Sequence, residues 1–304
     1  EESIIYNSYN GKAKDLTLEY LLNYMPSHIK VIRVGENFGF YSLTYFKYLV
    51  SSKYWLTNTT MLYTTSYKPS HVKAIYTWHG TPLVNAGNAV SSLRYYDFSK
   101  VDIFFVRNKY EINTFQKYFN IGQNYIEAGG LRESVSRIKV PGSLEKNLLF
   151  YAPSWRTYQF DDYGLDLSVL AEICKRLNLT LVVSIHHKTG ISSEFNVSDV
   201  IFLEADVDRY HVLRRTKIFI SDYSSLIADA VEANCQVYMF IKDFVVVKKN
   251  RGFMFDSMQQ HIYIEESSLF ADLLAGVSNF GLVNMFKSEY SGSPLLYLEK
   301  LANE

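Results

Sequence analysis

Two short segments of the chain contain the side chains that phosphoryl chemistry requires. The first, from Ala74 to Leu83, is an apolar strand that ends in Trp-His-Gly-Thr-Pro; the second, from Ile218 to Val231, is a strand that ends in Ser-Asp-Tyr-Ser-Ser before an apolar helix. In open α/β sheets, ligands bind at the carboxyl ends of strands, where such polar turns lie. The two segments therefore predict the two sides of one active-site cleft, with an anionic, phosphorylated substrate.

His79 is the candidate base in the first segment. It precedes Gly80-Thr81-Pro82, a tight turn that would project the imidazole from the end of the strand. A lone histidine is more often structural, but a near-neutral pKa at this position favours general base catalysis. His186 and His187 end another apolar strand in the second half. Adjacent side chains of an extended chain point to opposite faces, so we expect one of these two to reach the cleft.

The run Ser221-Asp222-Tyr223-Ser224-Ser225 has two interpretations. Serine and aspartate cap the start of any helix, and this structural role is the commoner one. Alternatively, the N–H groups and the two hydroxyls bind a phosphate. Helix-end electrostatics contribute only about 0.3–2 kcal/mol, so phosphate binding requires a cationic partner. Arg156 follows the strand that ends at Pro153, where it either clamps a phosphate bidentately or forms a surface salt bridge.

The composition excludes several classes of protein. Lys+Arg and Asp+Glu both total 31, and this neutral balance argues against nucleic-acid binding. Asp206-Val207-Asp208 resembles a metal-nucleotide motif, but it opens a helix, where acidic residues are favoured, so we predict no metal site. P-loop and GxGxxG patterns are absent, and we predict no cofactor. The two cysteines, Cys174 and Cys235, form no CxxC pair and favour a reducing compartment.

The arrangement of elements predicts two α/β domains, over residues 1–140 and 141–304, each with a parallel sheet. No apolar run approaches the ~20 residues of a membrane span. The chain starts at Glu1 rather than Met and has no signal peptide, so we expect a piece of a longer protein. The predicted strands are Ser3–Tyr6, His28–Val34, Lys53–Thr57, Ala74–Trp78, Ile103–Arg107, Asn124–Ala128, Leu148–Tyr151, Thr180–Ile185, Val200–Leu203, Ile218–Ile220 and Val237–Ile241, and the last four are of the buried type. The predicted helices are Leu16–Tyr24, Lys109–Phe119, Leu167–Leu177, Val207–Arg215 and Ser225–Glu232.

Three motifs, taken together, resemble those of the CDP-glycerol glycerophosphotransferase family, which includes wall teichoic acid primases and polymerases and related capsule polymerases. They are Trp78 to Leu83, Tyr151 to Arg156 and Ser221 to Ser225, and the resemblance covers nearly the whole chain. Ser8 and Gly11 are similar to the family's opening loop. The resemblance implies a GT-B fold of two Rossmann-like domains with parallel sheets facing across a cleft, and a catalytic role for His79 and His186. Two further segments are similar to the family's: Gly129 to Glu133, and a closing stretch with Asp243 and Arg251-Gly252. The resemblance implies substrate-binding roles for Gly80, Thr81, Arg132, Arg156, Asp222, Ser224, Ser225, Asp243, Arg251 and Gly252.

The implied activity is transfer of a polyol phosphate from a CDP-polyol to a hydroxyl of a teichoic-acid-like or capsule polymer, with release of CMP. Glycerol is the first expectation for the polyol and ribitol the second. The acceptor would be a polyol phosphate or glycan, often lipid-linked, at the cytoplasmic face of the cell membrane, with weak membrane association. Two alternatives stay open: a GT-B glycosyltransferase that uses a CMP- or UDP-sugar, and a catalytically silent acceptor-binding domain of a larger capsule-synthesis protein.

Overall fold

The computed structural model of the protein divides into two compact units. Of the residues described, the first unit contains those up to Gly80, those in 86–135 and Ser288, and the second contains 81–85 and those in 142–287. The predicted domain boundary, between residues 140 and 141, falls outside the described residues and stays a prediction. The structure describes residues 2–12, 15–23, 25, 27–39, 42–59, 68–90, 95–129, 131, 132, 135, 142–156, 163–185, 199–204, 207–254 and 256–288.

The first unit has a six-stranded parallel sheet in the order β2-β1-β3-β4-β5-β6. The strands β1, β3 and β5 are buried along their whole length and mostly apolar, as expected where helices cover both faces of a parallel sheet. The strand order reverses between β1 and β3, which makes the carboxyl ends of these strands the expected ligand position. The elements are β1 Ser3–Asn7, α1 Leu16–Leu22, β2 Lys30–Arg33, α2 Leu43–Ser51, β3 Tyr54–Thr57, β4 Lys73–Tyr76, β5 Ile103–Val106, α3 Lys109–Phe119 and β6 Tyr125–Glu127, with 3-10 turns at Tyr9–Gly11 and Gly87–Ala89.

The second unit has another six-stranded parallel sheet, in the order β12-β11-β10-β7-β8-β9. This is the Rossmann strand order, and it reverses between β7 and β10. Its central strands are almost completely buried. The elements are β7 Leu148–Ala152, α4 Leu167–Arg176, β8 Thr180–Val183, β9 Val200–Phe202, α5 Arg209–Arg215, β10 Thr216–Ser221, α6 Leu226–Glu232, β11 Gln236–Phe240, α7 Phe244–Asn250, a 3-10 segment Asp256–His261, β12 Ile262–Tyr263, α8 Glu266–Ala275 and α9 Phe280–Phe286.

The predicted strands and helices are all present, with ends that differ by a few residues. One expectation was wrong: Val200–Leu203 was predicted to be a buried strand, but Ile201 and Phe202 of β9 are 52% and 37% exposed. The reason is that β9 lies at the edge of its sheet, where β8 is its one neighbouring strand among the described residues. The sequence also failed to predict α2, α7, α8, α9 and β12.

Polar side chains fix the starts of several helices. Asp15 caps α1 by accepting hydrogen bonds from the N–H groups of Thr17 and Leu18. Asp166 caps α4 in the same way. Asp208 caps α5, which is the structural role that the sequence favoured for this acid, while Asp206 lies outside the described residues. In the described part of the chain, no single helix has the length and apolar character needed to cross a membrane; α8 and α9 meet those requirements only as a pair bent by 88°.

Candidate active site

The turn that carries His79 is strained and firmly anchored. Trp78 has a φ of 52°, a left-handed conformation that is rare for a bulky residue, and Gly80 has a φ of 138°. The Trp78 ring packs edge-on against Phe119 with the centroids 4.7 Å apart, and it also contacts Phe115 in the same buried aromatic cluster. Such packing can hold a strained backbone, and strain of this kind concentrates at functional sites. The turn therefore presents His79 from a rigid support at the end of β4.

The hydrogen bonding of His79 defines its tautomer. Nδ1 lies 3.0 Å from the backbone carbonyl oxygen of Asn58. A carbonyl oxygen can only accept, so Nδ1 carries the proton and Nε2 of the neutral ring has a free lone pair. Nε2 has no protein partner among the residues that the structure describes. The His79 side chain is exposed to solvent, but the protein atoms packed around the ring remove part of its hydration and lower its pKa. The Asn58 carbonyl opposes that shift, and the charge of Arg132 adds to it. This arrangement suits a base that is neutral near pH 7.

A polar network lies beneath His79 at the point where the strand order reverses. The completely buried Asn58, just after β3, accepts a hydrogen bond from the N–H of Tyr9, just after β1, and donates one to Asp15. Arg132 donates to the backbone carbonyl oxygen of His79 at 2.8 Å and lies 3.8 Å from the Asp15 carboxylate. The ends of β1, β3 and β4 are thus joined around one imidazole. Sequence reasoning identified His79 and Arg132 but missed Asp15, Asn58 and Tyr9.

Gly11, which the sequence placed in the opening loop, allows two backbone segments to approach closely. Its φ is +77°, and a Cβ atom there would lie 2.7 Å from the Cα atom of Gly35. Tyr9 and Asn10 also have positive φ angles, so the three residues after Ser8 form one tight left-handed turn. This turn carries the Tyr9 N–H group that binds Asn58.

In the second unit, Arg156 lies at the end of β7 and is buried rather than open to a ligand. Its Nε and one terminal nitrogen donate to the two carboxylate oxygens of Asp243 at 2.8 and 3.0 Å. The other terminal nitrogen donates to Asp222 at 2.6 Å and to the carbonyl oxygen of Ser154. Burial alone would lower the pKa of the guanidinium, but Asp243 and Asp222 outweigh it and raise the pKa. Four of the five N–H groups are therefore engaged.

Two tyrosine rings complete the surroundings of Arg156. The guanidinium lies 4.8 Å from the ring centroid of Tyr163 and 4.4 Å from that of Tyr223, within the range of cation–π contacts. Burial raises the pKa of Tyr223 to about 12, so its hydroxyl stays neutral. Asp222 also accepts hydrogen bonds from the N–H and the hydroxyl of Ser154. The ends of β7, β10 and β11 are thus bound together by Arg156.

Arg251 is an exposed cation that lies beside this cluster. Its guanidinium lies 5.2 Å from the Tyr223 centroid, on the wall of a recess of about 110 Å³. The recess combines aromatic, apolar, amide and cationic groups, which suits an anionic ligand with an aromatic part. Its lining residues are Trp155, Arg156, Tyr223, Val246, Val247, Asn250 and Arg251.

The helix start predicted near Ser224 or Ser225 is confirmed, since Ser225 is the N-cap of α6. The Ser224 hydroxyl accepts a hydrogen bond from the N–H of Leu226 at 3.3 Å, and the Ser225 side chain makes no capping bond. Gly252 ends α7 with a φ of +65°, and a Cβ atom there would meet the Asn85 side chain at 2.3 Å. The buried Thr81 lies in the second unit. His186 and His187 lie outside the described residues, so their roles stay predictions.

The sequence matches one family model and several individual proteins whose names describe the same activity. The family model for CDP-glycerol:poly(glycerophosphate) glycerophosphotransferase matches residues 2–277. The teichoic acid poly(glycerol phosphate) polymerase of Bacillus spizizenii is 25% identical over 254 residues, which cover 71% of this chain and 63% of that protein. The enzyme of the same description from Bacillus subtilis is 24% identical, with 84% of this chain and 41% of that protein covered. The chain therefore spans less than two thirds of the length of either relative.

The solved structure of the wall teichoic acid polymerase TagF has the same fold. It matches with a TM-score of 0.71 at 20% identity and covers 99% of this chain and 88% of the TagF chain. A TagF variant soaked with CDPG matches with a TM-score of 0.73 at 19% identity, covering 99% and 87% of the two chains. The predicted GT-B-like α/β class is confirmed by this likeness and by the two parallel sheets. Because the family model spans nearly all of the sequence, the chain belongs to the CDP-glycerol:poly(glycerophosphate) glycerophosphotransferase family.

Proposed function

We propose that this chain transfers glycerol phosphate from CDP-glycerol to a hydroxyl group of a teichoic-acid-type polymer and releases CMP. Membership of the family supports the reaction, and so do the names of the relatives, which are poly(glycerol phosphate) polymerases. The observation that carries the proposal is the state of His79, a neutral imidazole whose Nε2 lone pair is available at the end of a parallel strand. Ribitol is the second candidate for the transferred polyol.

The reaction needs one proton transfer and one displacement at phosphorus. Nε2 of His79 accepts the proton of the acceptor hydroxyl, and the resulting oxygen forms a bond with the phosphorus that carries glycerol. The bond between that phosphorus and the bridging oxygen of the pyrophosphate breaks, and CMP leaves with the bridging oxygen. Base catalysis of this kind contributes about 10²–10⁴-fold. His186, which lies outside the described residues, is the second proposed catalytic residue and would stabilise charge on the phosphoryl group or on CMP.

The donor is proposed to bind in the second unit. The recess beside Trp155 and Tyr223 offers aromatic surface for the cytosine ring, and the exposed Arg251 offers a cation for the pyrophosphate. The hydroxyls of Ser224 and Ser225 would add hydrogen bonds to phosphate oxygens. Asp222 and Asp243 are held by Arg156, so their proposed contribution is to fix the strand ends that line the recess.

The acceptor is proposed to be bound near the first unit's strand ends, where Arg132 contacts the backbone of His79 and Gly80 follows His79 in the sequence. A growing poly(glycerol phosphate) chain has free hydroxyl groups that fit the requirement for a nucleophile. We further propose that this acceptor is lipid-linked, that the protein works at the cytoplasmic face of the cell membrane, and that it associates weakly with that membrane. These proposals are supported by the family and by the kind of polymer that its relatives make.

The test is an assay of CMP release from CDP-glycerol in the presence of a glycerol phosphate oligomer, with ³¹P NMR of the product. CDP-ribitol and UDP-glucose serve as alternative donors, and His79→Gln as the inactive variant. We expect CMP release and a new phosphodiester signal with CDP-glycerol, both abolished in His79→Gln. A glycosidic product from UDP-glucose, without reaction of either CDP-polyol, would overturn the proposal. Full activity of His79→Gln would remove His79 from the mechanism.

A further inference from the structure

A buried carboxylate in the first unit makes more contacts than its capping role requires. Oδ1 of Asp15 accepts the N–H groups of Thr17 and Leu18, at 2.9 and 3.1 Å, and this completes the cap of α1. Oδ2 is directed elsewhere: it accepts a hydrogen bond from the side-chain amide of Asn58 at 3.2 Å and lies 3.8 Å from Arg132. Asp15 is 8% exposed, so these contacts form where water competes little.

The hydrogen bond with Asp15 helps to fix the position of the Asn58 backbone carbonyl. Its side chain is held at both ends, since Nδ2 donates to Asp15 and Oδ1 accepts from the N–H of Tyr9 at 3.0 Å. The residue is completely buried, which leaves the amide no other orientation that satisfies all its groups. The backbone carbonyl of the same residue accepts the Nδ1 proton of His79. The position of the carbonyl therefore depends on the side chain that Asp15 holds.

Arg132 links the same carboxylate to the backbone of His79. One of its terminal nitrogens donates to the His79 carbonyl oxygen at 2.8 Å and is the nitrogen that lies 3.8 Å from Oδ2 of Asp15. The imidazole and the peptide group of His79 are therefore held by two separate routes, through Asn58 and through Arg132. Both routes meet at one oxygen atom of Asp15.

We propose that Asp15 and Asn58 are positioning residues for His79: through the Asn58 carbonyl they fix the Nδ1–H tautomer and direct Nε2 to the acceptor hydroxyl. This inference rests on the proposed function, because it assigns to His79 the role of base. Asp15 touches neither substrate nor the reacting atoms in this scheme. Its effect is on the geometry of proton removal, where a misplacement of about 1 Å can cost about 100-fold in rate.

The decisive variant is Asp15→Asn, because asparagine caps helices as well as aspartate does. The substitution keeps the cap of α1 but replaces the Oδ2 acceptor with an amide donor that faces the Asn58 amide. We expect kcat to fall by about 10–100-fold, with the KM for CDP-glycerol changed less than 2-fold. Asp166→Asn is the matched control, since Asp166 caps α4 with the same pair of bonds, to Ser168 and Val169, in the second unit. It should leave kcat unchanged.

The double variant Asp15→Asn/Asn58→Asp tests the direction of the hydrogen bond. The exchange restores one donor and one acceptor between the two side chains and keeps an acceptor for the Tyr9 N–H. We expect it to recover part of the activity that Asp15→Asn loses. Non-additivity of this kind is the signature of two residues that act through each other. Equal kcat in Asp15→Asn and Asp166→Asn would overturn the proposal.

A spectroscopic measurement on the unmodified protein is independent of any variant's folding. Long-range ¹H–¹⁵N NMR of the histidine rings, with the His79 signal assigned by its absence from His79→Gln, should show a neutral ring protonated at Nδ1. A ring protonated at Nε2 would overturn the positioning role even if the enzyme is active. Absence of CMP release from the unmodified protein, with the Nδ1–H tautomer present, would instead reject the proposed function and leave the geometry of His79 intact.

Discussion

Replacing Arg156 by methionine separates a structural role from a ligand-binding role. The substitution removes a buried cation and leaves the carboxylates of Asp222 and Asp243, with side chains 3% and 5% exposed, without their main partner. It also removes the cation from between the rings of Tyr163 and Tyr223. Breaking a buried pair by removing one partner costs about 3–5 kcal/mol. With a urea m value of about 2 kcal/mol/M, the midpoint of unfolding should fall by about 1.5–2.5 M.

The assay is urea unfolding followed by fluorescence, together with calorimetry of CDP-glycerol binding. If the cost arises from uncompensated carboxylates, the triple variant Arg156→Met/Asp222→Asn/Asp243→Asn should recover much of the lost stability, because neutral groups of similar shape are tolerated in place of a buried ion pair. Arg156→Lys keeps the charge but cannot bind Asp243 through two N–H groups, so its midpoint should lie between those of the unmodified protein and Arg156→Met.

One outcome would refute this reasoning. If Arg156→Met unfolds within about 0.3 M of the unmodified protein but no longer binds CDP-glycerol, the guanidinium contacts the ligand directly. The prediction from sequence, a bidentate phosphate clamp, would then be the correct description. Loss of stability with ligand affinity retained at low urea would identify Arg156 as the residue that fixes the ends of β7, β10 and β11.

Three further predictions follow from other parts of the structure. Arg251→Ala should weaken CDP-glycerol binding by about 10–100-fold, the worth of a charge-assisted hydrogen bond, without moving the urea midpoint, because Arg251 is exposed. A base must be neutral, and the lowered pKa of His79 keeps the ring neutral further into the acid range. The acid limb of the kcat/KM profile, which reports the free enzyme, should therefore lie below pH 6.5, and an acid limb above that pH would contradict this. Gly35→Ala should destabilise the protein strongly, because the new Cβ would lie 2.5 Å from the carbonyl oxygen of Gly11. Gly39→Ala is the control: a Cβ there would have nothing within 4 Å, so the unfolding midpoint should be nearly unchanged. Equal midpoints for the two variants would exclude the close contact at Gly35.

Much of the fold could be predicted because the strands of a parallel sheet have a recognisable sequence pattern. A run such as Ile218–Ile220 is apolar without alternation, which is typical of a strand covered on both faces. The helix Phe244–Asn250 was missed because its three consecutive valines form an apolar run with high strand propensity. That propensity is overridden in the structure, where Val247 packs in the interior while Val245 is 77% exposed. Periodicity over seven residues is too short to correct such a bias.

The candidate site shows which information a single sequence lacks. His79 and Arg156 could be found because each follows an apolar strand and lies near a glycine or proline turn. The contacts that hold His79 could not be found, because they join residues far apart in the chain: Asn58 is 21 residues from His79 and Arg132 is 53 residues from it. From sequence alone, a buried asparagine or aspartate in a loop cannot be distinguished from an ordinary turn residue. The order of the strands in the sheet decides which residue it contacts. For Arg156, the sequence indicated the position, but not that the carboxylates of Asp222 and Asp243 bind the guanidinium.

The two clusters of strand-end residues differ in what they can offer to a reaction. Asp222 and Asp243 are bound to Arg156 in a buried cluster of ion pairs. Asp15 has one oxygen on two helix N–H groups and the other on a side-chain amide, so both of its oxygens are engaged. His79 is also held by a hydrogen bond, to the Asn58 carbonyl oxygen, but this bond uses Nδ1 and leaves Nε2 without a partner among the described residues. Of these four residues, the histidine is therefore the one that can take up the proton of the acceptor hydroxyl without losing a contact that positions it.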